Sequence, residues 1–384
     1  MSSTSEYDKL KTIILGSVDD YKAACWGWKS EIPDKEAKFS KAIQICNSAI
    51  PNSVLDEVSE DLASYEKTLK NFGVSVIRPP RFLAEPIYET DNFYSYGQDF
   101  YNMRDLHIVF GGLILASSPA QPNRIFEIEN LRAFFESIAE EFNMTLIQST
   151  PPKLRTNAQR AFFRDQIGNL VLNEKTHGDE LEAKSSEIWH RLDEDEILFD
   201  AANIVRFGAD ALYLISSTGN ACAARWLSSK LVNLKFHVTD VYRSSHLDST
   251  ILPLSPDTFL VNSARVNEEN LPGILKNKNV LYFDDVAEIP IAERDFHNQY
   301  RLPAAARLRD LGFNTNLSEM SSPWAGLNVL SYDEQTVLVE ENQIGLVKFL
   351  ESHGYEVIRV RLRHPFTFLG GLHCTTLDIS RDYP

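Results

Sequence analysis

The chain has 384 residues, with 38 Lys+Arg against 54 Asp+Glu and a formal net charge of −16. That balance argues against nucleic-acid binding and against docking on an anionic membrane, since both need clustered cations. An apolar fraction of 43% and a charged fraction of 24% are those of an ordinary globular chain with enough length to bury a large core.

The opening residues, Met1 to Leu10, are polar and carry no apolar run of the kind a signal peptide needs. Nowhere is there an apolar run of about 18 residues that would predict a transmembrane helix. The four cysteines, Cys25, Cys46, Cys222 and Cys374, form no Cys-x-x-Cys pair. Neither a zinc site nor a disulfide scaffold is expected, and the localisation expected is cytoplasmic, with reduced thiols.

In chain order, a strand is predicted over 11–15, a helix over 54–71 and a strand over 74–78. At 106–117 two apolar runs flank Gly111-Gly112 as a hairpin. A helix over 125–142 and a strand over 144–148 follow. The segment 153–196, rich in charge and carrying Trp189, fits no repeat and reads as an insertion with helix of its own. The hairpin, helix and strand order returns from residue 197, with a turn at Phe207-Gly208-Ala209-Asp210, a helix over 221–231 and a strand over 236–241. It returns from residue 248, with a turn near Pro256-Asp257, a helix and a strand over 279–283. It returns again from residue 327, with a turn at Asp333-Glu334, a helix over 343–353 and a strand over 355–362. A fifth unit joins the strand after Cys374 to the first strand, helix and strand of the chain. Five such units closed by both termini predict a ring without open sheet edges. If the hairpins recur by chance, the alternative is a plain α/β or α+β protein.

Chemistry-bearing residues sit where the hairpins begin. Asp105 precedes the first, Asp200 opens the second, and His246 and Asp248 open the third; Ser321 and Ser322 precede the fourth, and Cys374 opens the fifth. In a ring these positions converge at one end of its axis. Paired carboxylates can hold a planar guanidinium by bidentate hydrogen bonds, a thiolate can attack its carbon, and a histidine can supply and remove the protons. His246 and Asp248, two apart in a strand, would share a face. Asp200, among Ile197, Leu198, Phe199, Ala201 and Ala202, is expected to be buried with a partner. Asp105 beside Arg104 could instead be a solvated ion pair. Cys25, Cys46 and Cys222 are read as ordinary thiols in helical or loop settings, and His107, His237, His353 and His364 as structural or surface groups.

The segments Phe199-Asp200-Ala201-Ala202-Asn203, His246-Leu247-Asp248 and Gly370-Gly371-Leu372-His373-Cys374-Thr375-Thr376 resemble the signature segments of the arginine:glycine amidinotransferase family. The first strand from Tyr7 and the run Ser321-Ser322-Pro323-Trp324 through Leu330 are similar as well, so the resemblance spans nearly the whole chain. It implies a five-bladed α/β propeller of ββαβ modules in one domain. It implies Cys374 as nucleophile, His246 as general acid/base, Asp200 as the acid that orients His246 and the guanidinium, and Asp105 and Asp248 as grips on the guanidinium. Arg265 would bind the α-carboxylate of the donor L-arginine, with Ser321 and Ser322 lining the site. Two departures bear on the acceptor amine. Asn203 stands where the glycine-using enzymes tend to have Asp. Arg243-Ser244-Ser245 before the histidine, with a small Ser245, is more similar to the amidinotransferases of cyanobacterial toxin pathways. Arg243 and Ser245 are therefore counted among the substrate-binding residues. The activity implied is ping-pong transfer of the amidino group from L-arginine through Cys374 to a small primary amine, with ornithine released and no metal or organic cofactor. No nucleic-acid or membrane partner is implied, and a homodimer is. The rivals are an arginine deiminase-like hydrolase and a guanidine-binding module without catalysis.

Overall fold

The computed structural model describes residues 3–32, 34–82, 84–152, 195–242 and 245–382. Nearly all of the expected insertion at 153–196, and Arg243, lie outside the described residues.

Five three-stranded sheets share one build. Two strands run antiparallel and the third is parallel to the middle one. Antiparallel neighbours can be joined by a tight turn, whereas a parallel neighbour needs a crossover. Hence strands His107–Phe110 and Leu113–Ala116 form a hairpin, and helix Ile125–Glu141 carries the chain over to Thr145–Gln148. Gly111, at φ 59°, takes the left-handed turn position there, as Gly208, at φ 84°, does between Ile204–Phe207 and Asp210–Leu214. In that second module, helix Ala221–Lys230 starts on Asn220, whose side chain accepts from the Ala223 N–H, and leads to strand Lys235–Thr239.

The third module pairs Ile251–Pro253, Thr258–Asn262 and Asn279–Phe283, but its crossover holds only the 3₁₀ turn Gly273–Leu275. The expected helix is absent because Asn267 and Asn270 spend their side chains on local backbone and on each other's turn, and Pro272-Gly273 follows. The fourth pairs Leu330–Ser331, Thr336–Glu340 and Glu356–Val360 around helix Ile344–Ser352. The fifth has the predicted split origin: Leu10–Leu15 lies between Thr376–Arg381, antiparallel, and Ser75–Ile77, parallel, with helix Asn52–Asn71 as crossover.

A sixth sheet, Ser17–Trp28, Phe93–Phe100 and Ile87–Glu89, was not foreseen. Its long strand opens on polar Asp19, Asp20 and Lys22, and slips register on either side of Lys22, so no alternation marks it. Cys25 consequently lies in a strand rather than a helix or loop, whereas Cys46 and Cys222 are helical. Strand His107–Phe110 lies against Thr376–Arg381, and Ile251–Pro253 against Ile204–Phe207, so hairpins of neighbouring modules meet along their first strands. The N-terminal segment crosses them, pairing Ser3 with Gly111 and Ser5 with Phe207. The fold is α/β, and among the described residues no helix is long and apolar enough to cross a membrane.

Candidate active site

Cys374 follows a stretch of backbone that only glycine fits. A Cβ on Gly370 would come within 2.0 Å of Asn102 Oδ1 and 2.7 Å of Cys374 Cβ, and one on Gly371 within 2.9 Å of Asn328 Cβ. Leu369 before them sits at φ 62°, a strained conformation for a leucine. The turn brings the Cys374 N–H onto Asn328 Oδ1 at 2.8 Å and the Sγ onto Asp248 Oδ2 at 3.2 Å. His373 Nδ1 reaches the same Asp248 oxygen at 3.0 Å, and its Nε2 lies 3.2 Å from Glu6 Oε2.

His246 is held between two carboxylates. Its Nε2 lies 3.0 Å from Asp200 Oδ2 and its Nδ1 3.5 Å from Asp105 Oδ1. Burial alone would lower its pKa. Asp105, Asp200 and Asp248 outweigh that and raise it, so the imidazolium persists above the usual histidine range. The Cys374 thiol is pushed well up by burial and then by Asp248 and Asp105, and is therefore neutral in the unliganded site. Burial would raise Asp248, but its hydrogen bond from His373 and the charges of His373 and His246 bring it down to about 2.

Asp105 is not solvated and does not pair with Arg104. It is 4% exposed and its Oδ2 accepts from Arg124 at 2.8 Å, while Arg124 Nε donates to Glu127 at 3.1 Å. Arg104 turns instead to Glu6 and Asp378. Arg265 stacks its guanidinium 3.6 Å from the centre of the Tyr242 ring and donates to Thr250 at 2.7 Å and to Ser322 Oγ at 3.2 Å. Ser321, Ser322, Ser245, Asp105, His246, Asp248, Arg265 and Cys374 all line one cavity, and Asp200 lies behind His246. Asn203 does not line it: its side chain is bonded to Leu214 O, Ser216 Oγ and Thr218 Oγ1, and pins the loop that carries Asp200.

Asn328, His373, Arg124, Asp99 and Glu127 were not singled out from the sequence. Of these, His373 could have been found as the neighbour of Cys374 and Asn328 within the run after Ser321-Ser322. Arg124, Asp99 and Glu127 carry no local signal. The assembled set can grip a planar cation, present a thiol to its carbon and move a proton at His246.

No known family profile matches the chain. It is 31% identical over 388 residues to an inosamine-phosphate amidinotransferase of Streptomyces glaucescens, covering 99% of this chain and 97% of that protein. It is 26% identical over 390 residues to an L-arginine:L-lysine amidinotransferase of Pseudomonas savastanoi pv. phaseolicola, covering 99% and 94%. Among solved structures, SxtG, an amidinotransferase of the saxitoxin biosynthetic pathway from Microseira wollei, superposes with a TM-score of 0.76 at 26% identity, over 100% of this chain and 98% of that one. Matched end to end at this identity, the chain belongs to the amidinotransferase family.

Proposed function

We propose that this enzyme takes the amidino group from L-arginine and passes it, through a covalent amidino-Cys374, to a small primary amine. The observation that carries the reading is the placement of a thiol, an imidazolium and a set of buried carboxylates around one cavity, with Arg265, stacked on Tyr242, among its hydroxyl groups. The relatives support it: one is named for an arginine donor and a lysine acceptor, another for an inosamine-phosphate acceptor.

The guanidinium of arginine enters beside Asp248 and Asp105, with Asp200 behind His246, and its carboxylate meets Arg265, Ser321 and Ser322. Asp105, with one oxygen on Arg124 and the other facing His246 Nδ1, also steadies the imidazole. The incoming cation offsets the carboxylate field that keeps the thiol protonated, so Cys374 gives its proton to solvent when substrate is present. The thiolate sulfur bonds to the guanidine carbon. The bond from that carbon to the ornithine nitrogen breaks, and His246 gives its proton to that nitrogen. An acceptor amine then loses a proton to His246, which restores the imidazolium, and bonds to the carbon; the C–S bond breaks, the sulfur leaves as thiolate, and it takes back a proton from solvent as the product departs.

The module pattern supports a ring of five blades, with the sixth sheet appended, and this is the architecture we propose. We place the protein in the cytoplasm and assign Ser245, and on the sequence resemblance Arg243, to recognition of the acceptor. The test is incubation with arginine and a panel of primary amines, read by mass spectrometry. Ornithine and a new guanidine that appear only with an amine are expected. Ammonia and citrulline formed without any amine would instead identify a hydrolase, and arginine binding without any product a sensor.

A further inference from the structure

Beyond the thiol and its acids, the cavity has a wall the reaction leaves unused. Asp99, Asn102, Asn123 and Glu127 line it on the Arg124 side. Asp99 accepts one hydrogen bond, from the Tyr101 N–H at 2.8 Å, and makes no ion pair within 4.0 Å among the described residues. Glu127 shares Arg124 with Asp105, so that guanidinium is already committed twice. Asn102 and Asn123 are each 4% exposed, and the Oδ1 of each has no hydrogen-bond partner. The Asn102 amide is oriented by its Nδ2, which donates to Phe368 O at 2.7 Å. In these four residues the buried side-chain atoms left without a hydrogen bond, Asn102 Oδ1 and Asn123 Oδ1, are acceptors.

An unpaired buried acceptor is costly, and two carboxylates sharing one cation more so. Burial pushes Asp99 up to about 6 and Glu127 up to about 8 against the pull of Arg124 on both, with Asp105 raising each and Asp99 raising Glu127. A phosphate or carboxylate would be repelled here. A group with several N–H donors and a positive charge would satisfy the wall at once.

We propose that the wall formed by Asp99, Asn102, Asn123 and Glu127 is an acceptor subsite for a second, cationic nitrogen group, so that the preferred acceptor is a diamine with one nitrogen attacking the amidino carbon and the other held here as ammonium. The proposal rests on the amidinotransferase reading and names the acceptor class for that site. Asn102 packs against Gly370 next to Cys374, so the wall adjoins the thiol, and a chase begun after ornithine is removed is what separates an acceptor cation from the donor guanidinium.

The test separates the two half-reactions. Enzyme is loaded with arginine, freed of ornithine, and checked by intact mass for amidino-Cys374. The loaded enzyme is then chased with putrescine or cadaverine against butylamine, pentylamine and glycine. The diamines are expected to discharge the adduct roughly 10- to 100-fold faster at subsaturating concentration, the value of hydrogen bonds to a charged group. Asp99→Asn should collapse that ratio and Asp99→Glu should keep most of it, which separates loss of charge from damage to the fold. Equal rates for diamines and monoamines, or a ratio unmoved in Asp99→Asn, would overturn the subsite while leaving the amidinotransferase reading intact. Slower adduct formation in Asp99→Asn with the ratio unchanged would assign the wall to the donor and equally overturn it. Failure of the wild type to form any adduct would overturn both readings.

Discussion

Two clusters of buried charge meet at His373, and they are built on opposite plans. On one side Glu6 and Asp378 face Arg104, Arg206 and Arg381: Glu6 is within 3.1 Å of two guanidinium groups and Asp378 within 3.1 Å of three. On the other side lie the carboxylates of the cavity, with Arg124 and His246 as the nearest cations. Burial would raise the acids of both. In the first cluster Arg206 and its neighbours overcome it and hold Glu6 and Asp378 well below the usual carboxylate range. In the cavity burial wins at Asp99, Glu127 and Cys374. A cluster whose acids are matched by cations ties strands together; a cluster left short of cations waits for one. His373 joins them, with Nδ1 on Asp248 and Nε2 on Glu6, so the rigid cluster orients the reactive one.

The sharpest break in the comparison is at the thiol. Cys374→Ala should lower amidino transfer by about 10⁴-fold or more, the scale for removing a nucleophile, and abolish the covalent adduct in intact-mass spectra. Arginine binding by calorimetry should survive, because the proposed grip belongs to the carboxylates and Arg265.

On the structural side, Arg206→Met would strip Glu6 and Asp378 of a shared partner within the core and should cost about 3–5 kcal/mol in urea unfolding. The pH dependence distinguishes this from a simple packing defect. The folded pKa values of Glu6 and Asp378 lie below their unfolded ones. Their contribution is therefore present above the ordinary carboxylate range and is lost as pH falls through the lowered folded values. The gap between wild type and Arg206→Met should narrow in acid. A gap independent of pH would sink the electrostatic account.

A smaller effect is expected at the far end of the cavity. Arg265 combines a stack on Tyr242 with directed bonds to Thr250 and Ser322, a geometry that lysine cannot reproduce. Arg265→Lys should raise the KM for arginine by roughly 10- to 100-fold with a lesser change in kcat. A fall in kcat alone would mean that Arg265 does not hold the donor's carboxylate.

Much of this was legible in the residues. The hairpins announced themselves through Gly111 and Gly208, and the split fifth module through the apolar strands at the two chain ends, because turn chemistry and burial are local signals. The glycines before Cys374, and His246 two residues from Asp248, pointed to residues that share one cavity, although that pair lies in a turn before strand Ile251–Pro253 and not in the expected strand. Pairings between distant segments were not legible. Nothing near Asp105 says that its cation is Arg124 rather than adjacent Arg104, since side chains at consecutive positions face different ways. Asn203 looked like a specificity residue by comparison with a family pattern, yet its amide bonds the backbone and hydroxyls of the next strand and turn. The sheet holding Ser17–Trp28 escaped because a strand with slipped register and polar onset has no period to read.

The finest distinction between the two clusters is whether the cavity's charge deficit controls the thiol. Burial, Asp248 and Asp105 keep Cys374 protonated above the usual thiol range. Alkylation by iodoacetamide, followed at the Cys374 peptide so that half-buried Cys222 does not interfere, should therefore rise only at alkaline pH in the free enzyme. A guanidinium ion in the cavity places a positive charge against the same carboxylates. It should move the midpoint down by about one unit, equivalent to about 1.4 kcal/mol. Asp248→Asn, which removes the first-named charge, should lower the midpoint without any ligand and make it less responsive to guanidinium. A midpoint that guanidinium leaves in place would mean that burial alone governs the thiol, and that the carboxylates bind the substrate without preparing the nucleophile for it.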